Sequence, residues 1–272
     1  MSLLQTGIRE ISEWCKNNSL TIHPGKSEIM IISNKRFIGP PPPVRLGDNI
    51  IKVVSDSKCL GVSIDCKLTW KSQVSKAASS MNKKVKQLRR FRSLQPDVLE
   101  KIYFQGILPS CTYGMAVWGS GPSLEPIETV HRRAAKLIHK LPKSTPVDKI
   151  LEKANWKSID YIYKRRVACL THKIYNNKCP RVLNDLVIKT KSQRATRNSC
   201  KVDLTRSKTN MGRNSFKHRA AIIWNRLSPL ITSQKNYEIF KRKLSQNSKI
   251  PDNISFGQAA TITYTDSNFI YF

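Results

Sequence analysis

Carboxylate side chains are the residues that metal-dependent chemistry on phosphodiesters requires, because this chemistry uses two divalent ions about 4 Å apart, bridged by at least two carboxylates. This sequence contains no adjacent pair of aspartates. Its aspartates before residue 250 stand apart from one another, at Asp48, Asp56, Asp65, Asp97, Asp148, Asp160, Asp185 and Asp203. We expect each of them to cap a helix, order a turn or pair at the surface. The pattern therefore predicts no catalytic residue, no metal site and no cofactor in this chain.

The nucleophilic and metal-binding side chains show no catalytic spacing either. Five histidines and seven cysteines share no zinc-ligand spacing, and the phosphate-loop, zinc-protease and serine-hydrolase motifs are all missing from the sequence. An odd number of scattered cysteines is typical of reduced thiols. No apolar run reaches the roughly 18 to 20 residues of a membrane span, and the N-terminus has no leader pattern. We predict an intracellular protein of the nucleus or cytoplasm, not bound to a membrane.

The cationic side chains carry the strongest signal. The chain has 48 Lys and Arg against 18 Asp and Glu, a formal charge of +30. Such an excess calls for a polyanion, and nucleic acid is the commonest one because each neutralised phosphate releases counterions. An acidic membrane is the alternative, but the basic amphipathic segment or lipidation signal that it requires is not evident. The composition therefore favours nucleic acid as the partner.

One helical segment concentrates these cations on a single face. Lys76, Lys83 and Arg90 recur every seven residues, on the arc opposite to a row of apolar residues, Val74, Ala78, Met81, Val85 and Leu88. A solvated charged face is the simple explanation, yet no acid occurs between Asp65 and Asp97 to balance the charge. This imbalance makes phosphate binding an equal alternative. The end of the segment, KKVKQLRRFR, also resembles a nuclear localisation signal.

A second basic region runs from Lys189 to Arg226, where eleven Lys or Arg accompany Asp203 as the single acid. We predict a basic loop or weak strand region there. The two regions together supply the candidate phosphate contacts, Lys76, Lys83, Lys84, Lys86, Arg89, Arg90, Arg92, Arg194, Arg197, Arg206, Lys208, Arg213, Lys217 and Arg219. Contacts to phosphate position a protein without reading bases, so we predict salt-dependent and nearly sequence-independent binding.

The elements that position these residues follow from periodicity and turn signals. The chain opens on an amphipathic helix, and short strands are expected from Ile29 to Ile32 and in a hairpin formed by residues 50–54 and 59–64. From Trp70 the pattern becomes helical. Further helices are predicted over residues 96–108, from Glu125, from Ser158, over 216–227 and over 237–245, and the tail after Ile250 is predicted to be disordered.

Five segments, in order and spacing, carry a resemblance to one family. They are WCKNNSLTIHPGKSEIM from Trp14, KCLGVSIDCKLTW from Lys58, the stretch from Tyr103 to Gly119, HRRAAKLI from His131, and SFKHRAAIIWNRL from Ser215. Together they resemble the end of the palm and the following regions of a non-LTR retrotransposon (LINE-type, jockey-like) reverse transcriptase, an RNA-directed DNA polymerase. His23 departs from the family, which usually has Asn in that turn. The resemblance covers nearly the whole chain.

The resemblance implies an α+β fold. A small β-hairpin palm remnant at 1–70 would precede a predominantly α-helical, thumb-like bundle at 71–145. A helical connection at 146–188, a basic, loop-rich C-terminal extension at 189–250 and a disordered tail at 251–272 would follow. Lys26 would correspond to the lysine that assists nucleotide addition, and Leu60 and Gly61 to the hairpin that grips the primer. The family's catalytic aspartates would lie upstream of Leu3, so Mg²⁺ is expected only in the complete polymerase.

Three functions remain open at this point. The first is a truncated polymerase fragment that binds RNA, RNA–DNA hybrid or single-stranded nucleic acid without catalysing polymerisation. The second is one piece of an active reverse transcriptase, whose missing upstream segments would be its partner. The third is a basic scaffold protein that uses the same helices to bind nucleic acid. An upstream reading frame with paired aspartates would favour the second, and an acidic protein partner would favour the third.

Overall fold

The computed structural model describes residues 3–33, 43–121, 123–190 and 200–246, which form two compact units. Among the described residues, the first unit runs from Leu3 to Ser72 and the second from Gln73 to Gln246. The first is made of one helix and short strands, and the second of helices. This arrangement confirms the predicted α+β class, with small hairpins and a helical bundle. The predicted tail lies outside the described residues.

The first unit buries a small apolar core between helix α1 (Leu3–Asn17) and short strands. Its strands are β1 (Glu28–Ile29), β2 (Arg45–Leu46), β3 (Asn49–Ile50), β4 (Lys52–Val53), β5 (Asp56–Cys59) and β6 (Val62–Asp65). The core consists of Ile29, Val44, Leu46 and Ile51, with Leu4, Ile8, Ile22 and Ile31 packed against it. The Gln5 amide holds α1 to β2, because its Nε2 donates to the Arg45 carbonyl at 2.9 Å and its Oε1 accepts from the Arg45 N–H at 3.0 Å.

The strand pairing differs from the predicted hairpin between residues 50–54 and 59–64, which was wrong. β5 pairs with β6, β2 pairs antiparallel with β3, and β4 pairs parallel with β1. The reason is the position of the tight turn. Leu60 and Gly61 both have positive φ, 46° and 88°, as a two-residue type I′ turn requires. Such a turn joins the segments directly beside it, Asp56–Cys59 and Val62–Asp65.

The second unit consists mainly of helices, with an isolated antiparallel β-bridge between Lys189 and Val202. Its α-helices are α2 (Lys71–Leu88, whose first two residues belong to the first unit), α3 (Pro96–Ile102), α4 (Leu108–Cys111), α5 (Met115–Trp118), α6 (Glu125–Ile138), α7 (Ile150–Lys153), α8 (Ile159–Tyr175), α9 (Asn210–Asn214), α10 (Phe216–Asn225), α11 (Pro229–Thr232) and α12 (Tyr237–Gln246). Tighter 3₁₀ turns occupy Arg89–Phe91, Val147–Lys149 and Arg181–Leu186. The helices predicted near Trp70, Glu125, Ser158, Phe216 and Tyr237 are thereby confirmed.

The helix predicted over residues 96–108 is confirmed only in its first half. α3 ends at Ile102, a π-helical turn occupies Tyr103–Ile107, and α4 follows. Pro109 supplies the physical reason, because it has no N–H to donate to the carbonyl four residues earlier. The wider turn before it accommodates the missing hydrogen bond.

Helix α8 lies at the centre of the second unit, where it contacts α5, α6, α10 and α12. Its N-terminus is held by two side chains. The Ser158 hydroxyl accepts a hydrogen bond from the Tyr161 N–H at 3.1 Å, and a carboxylate oxygen of Glu128, on α6, accepts from the Ile159 N–H at 2.7 Å. Two of the unpaired N–H groups at this helix end therefore have acceptors, one of which ties α8 to α6.

A buried polar cluster joins α6 to the π-helical turn. Tyr103 donates its hydroxyl proton to Nδ1 of His131 at 2.6 Å, and Nε2–H of His131 donates to the Lys157 carbonyl at 3.0 Å. Trp156 stacks on Tyr103 with ring centroids 4.8 Å apart, and its indole N–H donates to Glu100 at 2.7 Å. Burial lowers the pKa of His131 to about 4, so its ring is neutral in the folded protein at physiological pH.

A second aromatic cluster fastens the C-terminal helices to α8. His172 stacks on Phe240 of α12, with ring centroids 4.2 Å apart, and its Nε2–H donates to the Gln234 carbonyl at 2.6 Å. Trp224 of α10 lies 5.3 Å from Tyr175 and 5.8 Å from Phe240, and its indole N–H donates to the Cys200 carbonyl at 2.7 Å. The basic region around α9 and α10 is therefore attached to the core of the unit.

None of the helices in the described ranges combines the length and the hydrophobicity that crossing a membrane would require.

The close contact between α5 and α8 predicts that one added methyl group at Gly119 lowers the stability of the fold. A Cβ built on Gly119 would lie 2.5 Å from Cδ2 of Tyr163 and 2.6 Å from the Met115 carbonyl oxygen. Gly119→Ala should therefore lower the free energy of unfolding in urea by about 1 to 3 kcal/mol. Gly106→Ala is the control, because no atom lies within 4 Å of its Cβ position. Equal stability of the two variants would contradict this packing.

The neutral ring of His131 makes stability depend on pH. Its pKa is about 4 in the folded state, against 6.5 for an exposed ring, so the unfolded chain binds more protons below pH 6.5. Stability should therefore fall as the pH decreases from 6.5 towards 4, by about 3 kcal/mol at the lower end. His131→Gln should flatten this dependence in urea titrations, whereas replacement of the exposed His23 by Gln should leave it unchanged. A profile in which the two variants are equally steep would contradict the assignment.

Candidate nucleic-acid interface

Helix α2 is two-sided because its apolar residues recur at intervals of three and four. Val74, Met81, Val85 and Leu88 are all buried and lie on one arc of the helix. The opposite arc carries the exposed cations Lys76, Lys83 and Lys86, and Arg90 of the 3₁₀ turn that follows α2 continues the row. We call these four residues the α2 stripe. Burial of the apolar arc thus determines the direction in which the stripe faces. The stripe spans about 21 Å along the helix axis.

Polar contacts from α2 to α4 and α6 involve residues outside the stripe. Asn82 accepts a hydrogen bond from Arg133 of α6 at 2.8 Å. Lys84 donates to the Ser110 hydroxyl of α4 at 2.6 Å, and the thiol of Cys111 lies 3.9 Å from the Ser80 hydroxyl. Lys84 is therefore half-buried and engaged beside α4. It lies off the stripe, although it is one of the predicted contacts.

The stripe continues into the 3₁₀ turn at the end of α2. Arg89 and Arg92 are exposed there, and the Arg92 N–H donates to the Arg89 carbonyl at 3.4 Å. Seven Lys and Arg and no acid occur between Gln73 and Gln95. A run of like charge on one exposed surface repels itself and attracts a polyanion. The aromatic side chain of Phe91 is also exposed in this turn, and the sequence analysis did not predict it as a contact residue.

The extension contributes fewer surface cations than its sequence suggests. Arg206, Lys208 and Arg213 are exposed, and Lys217 is half-buried. The hydroxyl of Thr209 caps α9 by accepting from the Gly212 N–H at 3.1 Å. Arg194 and Arg197 lie outside the described residues. Of the predicted contacts in this region, the three that are exposed therefore lie just before α9 or within it.

Arg219 requires a correction. The sequence predicts a surface contact, yet the side chain is only 5% exposed, and its guanidinium donates to Oδ1 of Asn214 at 2.6 Å. Burial lowers the pKa of this guanidinium, while the nearby Tyr163 and Asp160 act in the opposite direction. The residue stands on the inner face of α10, and helical periodicity places it there beside Ala220 and Ile223. Arg219 therefore cannot contact a phosphate at the surface of this structure.

The residues singled out by the resemblance all lie in the first unit. Lys26 is exposed at the end of the 3₁₀ turn Pro24–Lys26, where its N–H donates to the His23 carbonyl at 3.1 Å. Leu60 and Gly61 form the tip of the β5–β6 hairpin, and Leu60 is 85% exposed. The Ser57 hydroxyl of β5 donates to Glu28 at 2.9 Å, so the hairpin lies beside the strand that follows Lys26. Their roles in primer binding or nucleotide addition stay predictions.

Asp65 orders the turn that leads from the hairpin to α2. Its carboxylate accepts hydrogen bonds from the N–H groups of Lys67, Thr69 and Trp70, at 3.2, 2.9 and 2.8 Å, and from the Thr69 hydroxyl at 3.1 Å. Burial raises the pKa of Asp65, but the hydrogen bonds from Thr69 and Trp70 outweigh it and hold the pKa below its ordinary value. Leu68 and Trp70 have positive φ, 49° and 60°. The carboxylate stabilises this strained turn.

Other carboxylates have structural partners as well. Asp160 pairs with the buried Lys164 at 2.5 Å, and Glu100 accepts from both His139 and Trp156. Glu125 accepts from Arg132 at 2.7 Å. Within the described residues, no three His, Cys, Asp or Glu side chains lie together in a way that could hold a metal ion. The described residues therefore offer no donor set that fits Mg²⁺.

Comparison with known proteins identifies two similar polymerases from Drosophila melanogaster. The chain is 23% identical over 145 residues to the probable RNA-directed DNA polymerase from transposon BS. It is 27% identical over 133 residues to the probable RNA-directed DNA polymerase from transposon X-element. These matches cover 51% and 47% of this chain, but only 16% and 14% of the two relatives. No family model matches the chain, and no solved structure does. The two similarities confirm the resemblance to transposon reverse transcriptases.

The Asp65 carboxylate leads to a prediction about the turn. Asp65→Asn should destabilise residues 65–70 locally by about 1 to 2 kcal/mol, because an amide oxygen cannot accept from all four donors. Amide hydrogen exchange at Thr69 and Trp70 should accelerate accordingly. The matched control is Asp48→Asn, since Asp48 lies in the exposed turn between β2 and β3. Unchanged protection of the two amides in the Asp65 variant would contradict the assignment.

Proposed function

We propose that this chain is a nucleic-acid-binding part of a non-LTR retrotransposon reverse transcriptase, in which the α2 stripe contacts the phosphate backbone. The observation that carries the proposal is the stripe itself: an exposed, acid-free row of cations on a helix whose other face is buried. The similarity to two transposon polymerases supports the polymerase context. The partner would be RNA, an RNA–DNA hybrid or single-stranded nucleic acid, inside the cell.

The distribution of charge on α2 favours a polyanionic partner for the stripe over a charged face that contacts only water. A solvated helix face usually alternates the two signs, and opposite charges four residues apart then stabilise the helix. α6 follows that pattern, since its Arg132 contacts Glu125 and Glu128. α2 offers no carboxylate from Gln73 to Leu88. Its cations repel one another along the stripe, and this repulsion is relieved when phosphates lie between them.

The length of the stripe matches a short nucleic-acid segment. Lys76 and Arg90 are separated by about 21 Å along the axis, which corresponds to about six nucleotides of one strand at 3.4 Å each. The cations follow one arc, so a single backbone can follow them without crossing the helix. Lys and Arg contacts of this type set position and orientation but do not distinguish bases.

Binding, rather than chemistry, is the role that we assign to these residues. The carboxylate of Asp65 accepts hydrogen bonds from its own turn, that of Asp160 pairs with Lys164, and that of Glu125 pairs with Arg132. Each of these three carboxylates therefore already has a structural partner. Catalysis by the whole polymerase would depend on carboxylates other than these. We propose accordingly that the chain binds nucleic acid and does not extend a primer by itself. Primer extension with Mg²⁺ by the purified chain would contradict this assignment.

The binding proposal predicts a defined loss when the stripe is neutralised. The triple variant Lys83→Gln, Lys86→Gln, Arg90→Gln should weaken binding of a 20-nucleotide RNA about tenfold or more at 0.1 M salt. The slope of log affinity against log salt should become shallower by about 2 to 3, because each phosphate contact contributes close to one counterion. Fluorescence anisotropy across a salt series measures both quantities.

The matched control removes the same charge elsewhere. The triple variant Lys143→Gln, Lys149→Gln, Lys153→Gln changes three exposed lysines around α7, where Asp148 and Glu152 lower the local positive charge. Its affinity and salt slope should stay close to those of the wild type. If the two triple variants lose affinity equally, binding follows net charge and the assignment to the α2 stripe is wrong. A wild-type affinity that is independent of salt would contradict nucleic-acid binding altogether.

A further inference from the structure

Phe91 is an exposed aromatic residue at the end of the α2 stripe. It closes the 3₁₀ turn Arg89–Phe91, and its side chain is 53% exposed. Its backbone is ordered, because its carbonyl accepts from the Leu94 N–H at 2.9 Å. A large aromatic ring on an ordered backbone, half in water, is a candidate contact surface.

The helical core does not require this ring. The buried arc of α2 ends at Leu88, which is only 3% exposed, and Phe91 lies beyond it. Leu94 is also partly exposed, so the chain between α2 and α3 shows apolar surface after the stripe. Exposure of the ring to water has a free-energy cost, and this cost is removed when a flat apolar partner covers the ring.

The charges around Phe91 indicate which class of molecule would cover its ring. Arg89, Arg90 and Arg92 flank it in sequence and are all exposed, and no acid occurs from Gln73 to Gln95. A purely apolar peptide would gain nothing from three guanidinium groups. A nucleotide presents a flat base for the ring and a phosphate for the arginines, so it complements both features.

We propose that Phe91 stacks on an unpaired base of a strand whose phosphates follow the α2 stripe. This inference rests on the proposed function and narrows its substrate to single-stranded nucleic acid. Bases within a duplex are stacked on one another, so their faces are closed to a protein ring, whereas those of a single strand are open. The stripe supplies affinity that depends on salt, and Phe91 adds affinity that does not.

The test compares three replacements of Phe91 on two ligands. Phe91→Ala removes the ring, Phe91→Leu keeps an apolar side chain without a π face, and Phe91→Tyr keeps the ring. The ligands are a labelled 20-nucleotide single-stranded RNA and the same sequence annealed to its complement, at 0.1 M salt. The control variant Leu94→Ala truncates the neighbouring exposed apolar side chain and leaves Phe91 in place.

Stacking predicts that Phe91→Ala and Phe91→Leu each weaken single-strand binding about 5- to 100-fold, while Phe91→Tyr and Leu94→Ala stay within about twofold of the wild type. Duplex affinity and the salt slope should be unchanged in every variant. The variants are surface changes, and equal thermal unfolding would show that the fold is intact.

Three results would overturn the inference. In the first, Phe91→Ala binds the single strand as tightly as the wild type. In the second, Phe91→Leu retains full affinity, which would indicate an apolar contact without stacking. In the third, Phe91→Ala binds RNA normally but loses binding to phosphatidylserine vesicles, which would reassign the ring to a membrane. A wild-type protein that binds no RNA would overturn the proposed function together with this inference, whereas the first three results leave the stripe intact.

Discussion

The two-sidedness of α2 is the constraint on which the functional interpretation depends. One arc of the helix must be buried, and this burial places Lys76, Lys83, Lys86 and Arg90 together on the opposite arc. Burial of the apolar side chains stabilises this orientation of the helix, because burying a side chain such as Met81 or Leu88 contributes about 1.5 to 3 kcal/mol to the stability of the fold. Repulsion between exposed cations is weaker, since water and salt screen it. Packing therefore determines the orientation of the charge.

The rest of the second unit is organised around α8, which contacts α5, α6, α10 and α12. Two aromatic clusters lie within this unit. In one, Tyr103, His131 and Trp156 satisfy their polar groups within the core. In the other, His172 and Trp224 donate to backbone carbonyls of the C-terminal segments. The indole N–H groups of Trp156 and Trp224 and the hydroxyl of Tyr103 each have an acceptor, so these large aromatic side chains are buried without leaving those donors unsatisfied.

The carboxylates show how a strongly basic protein uses its few acids. Asp65 stabilises a turn, Asp160 pairs with the buried Lys164, Glu100 accepts from His139 and Trp156, and Glu128 accepts from the first N–H of α8. These four carboxylates serve the framework, and α2 has no carboxylate of its own to compensate the positive charge of its exposed surface.

The sequence by itself determined the features that are local or periodic. The helices at α2, α6, α8, α10 and α12, the cation stripe and the scarcity of acids could all be predicted, because helix periodicity and charge are properties of nearby residues. The tertiary structure decided that β1 pairs with β4, that Arg219 is buried, that Lys84 donates a hydrogen bond to Ser110, and that Phe91 stays exposed. These depend on residues far apart in the chain. A side chain becomes interior or surface only when another element covers it or leaves it open, and no local pattern records that outcome.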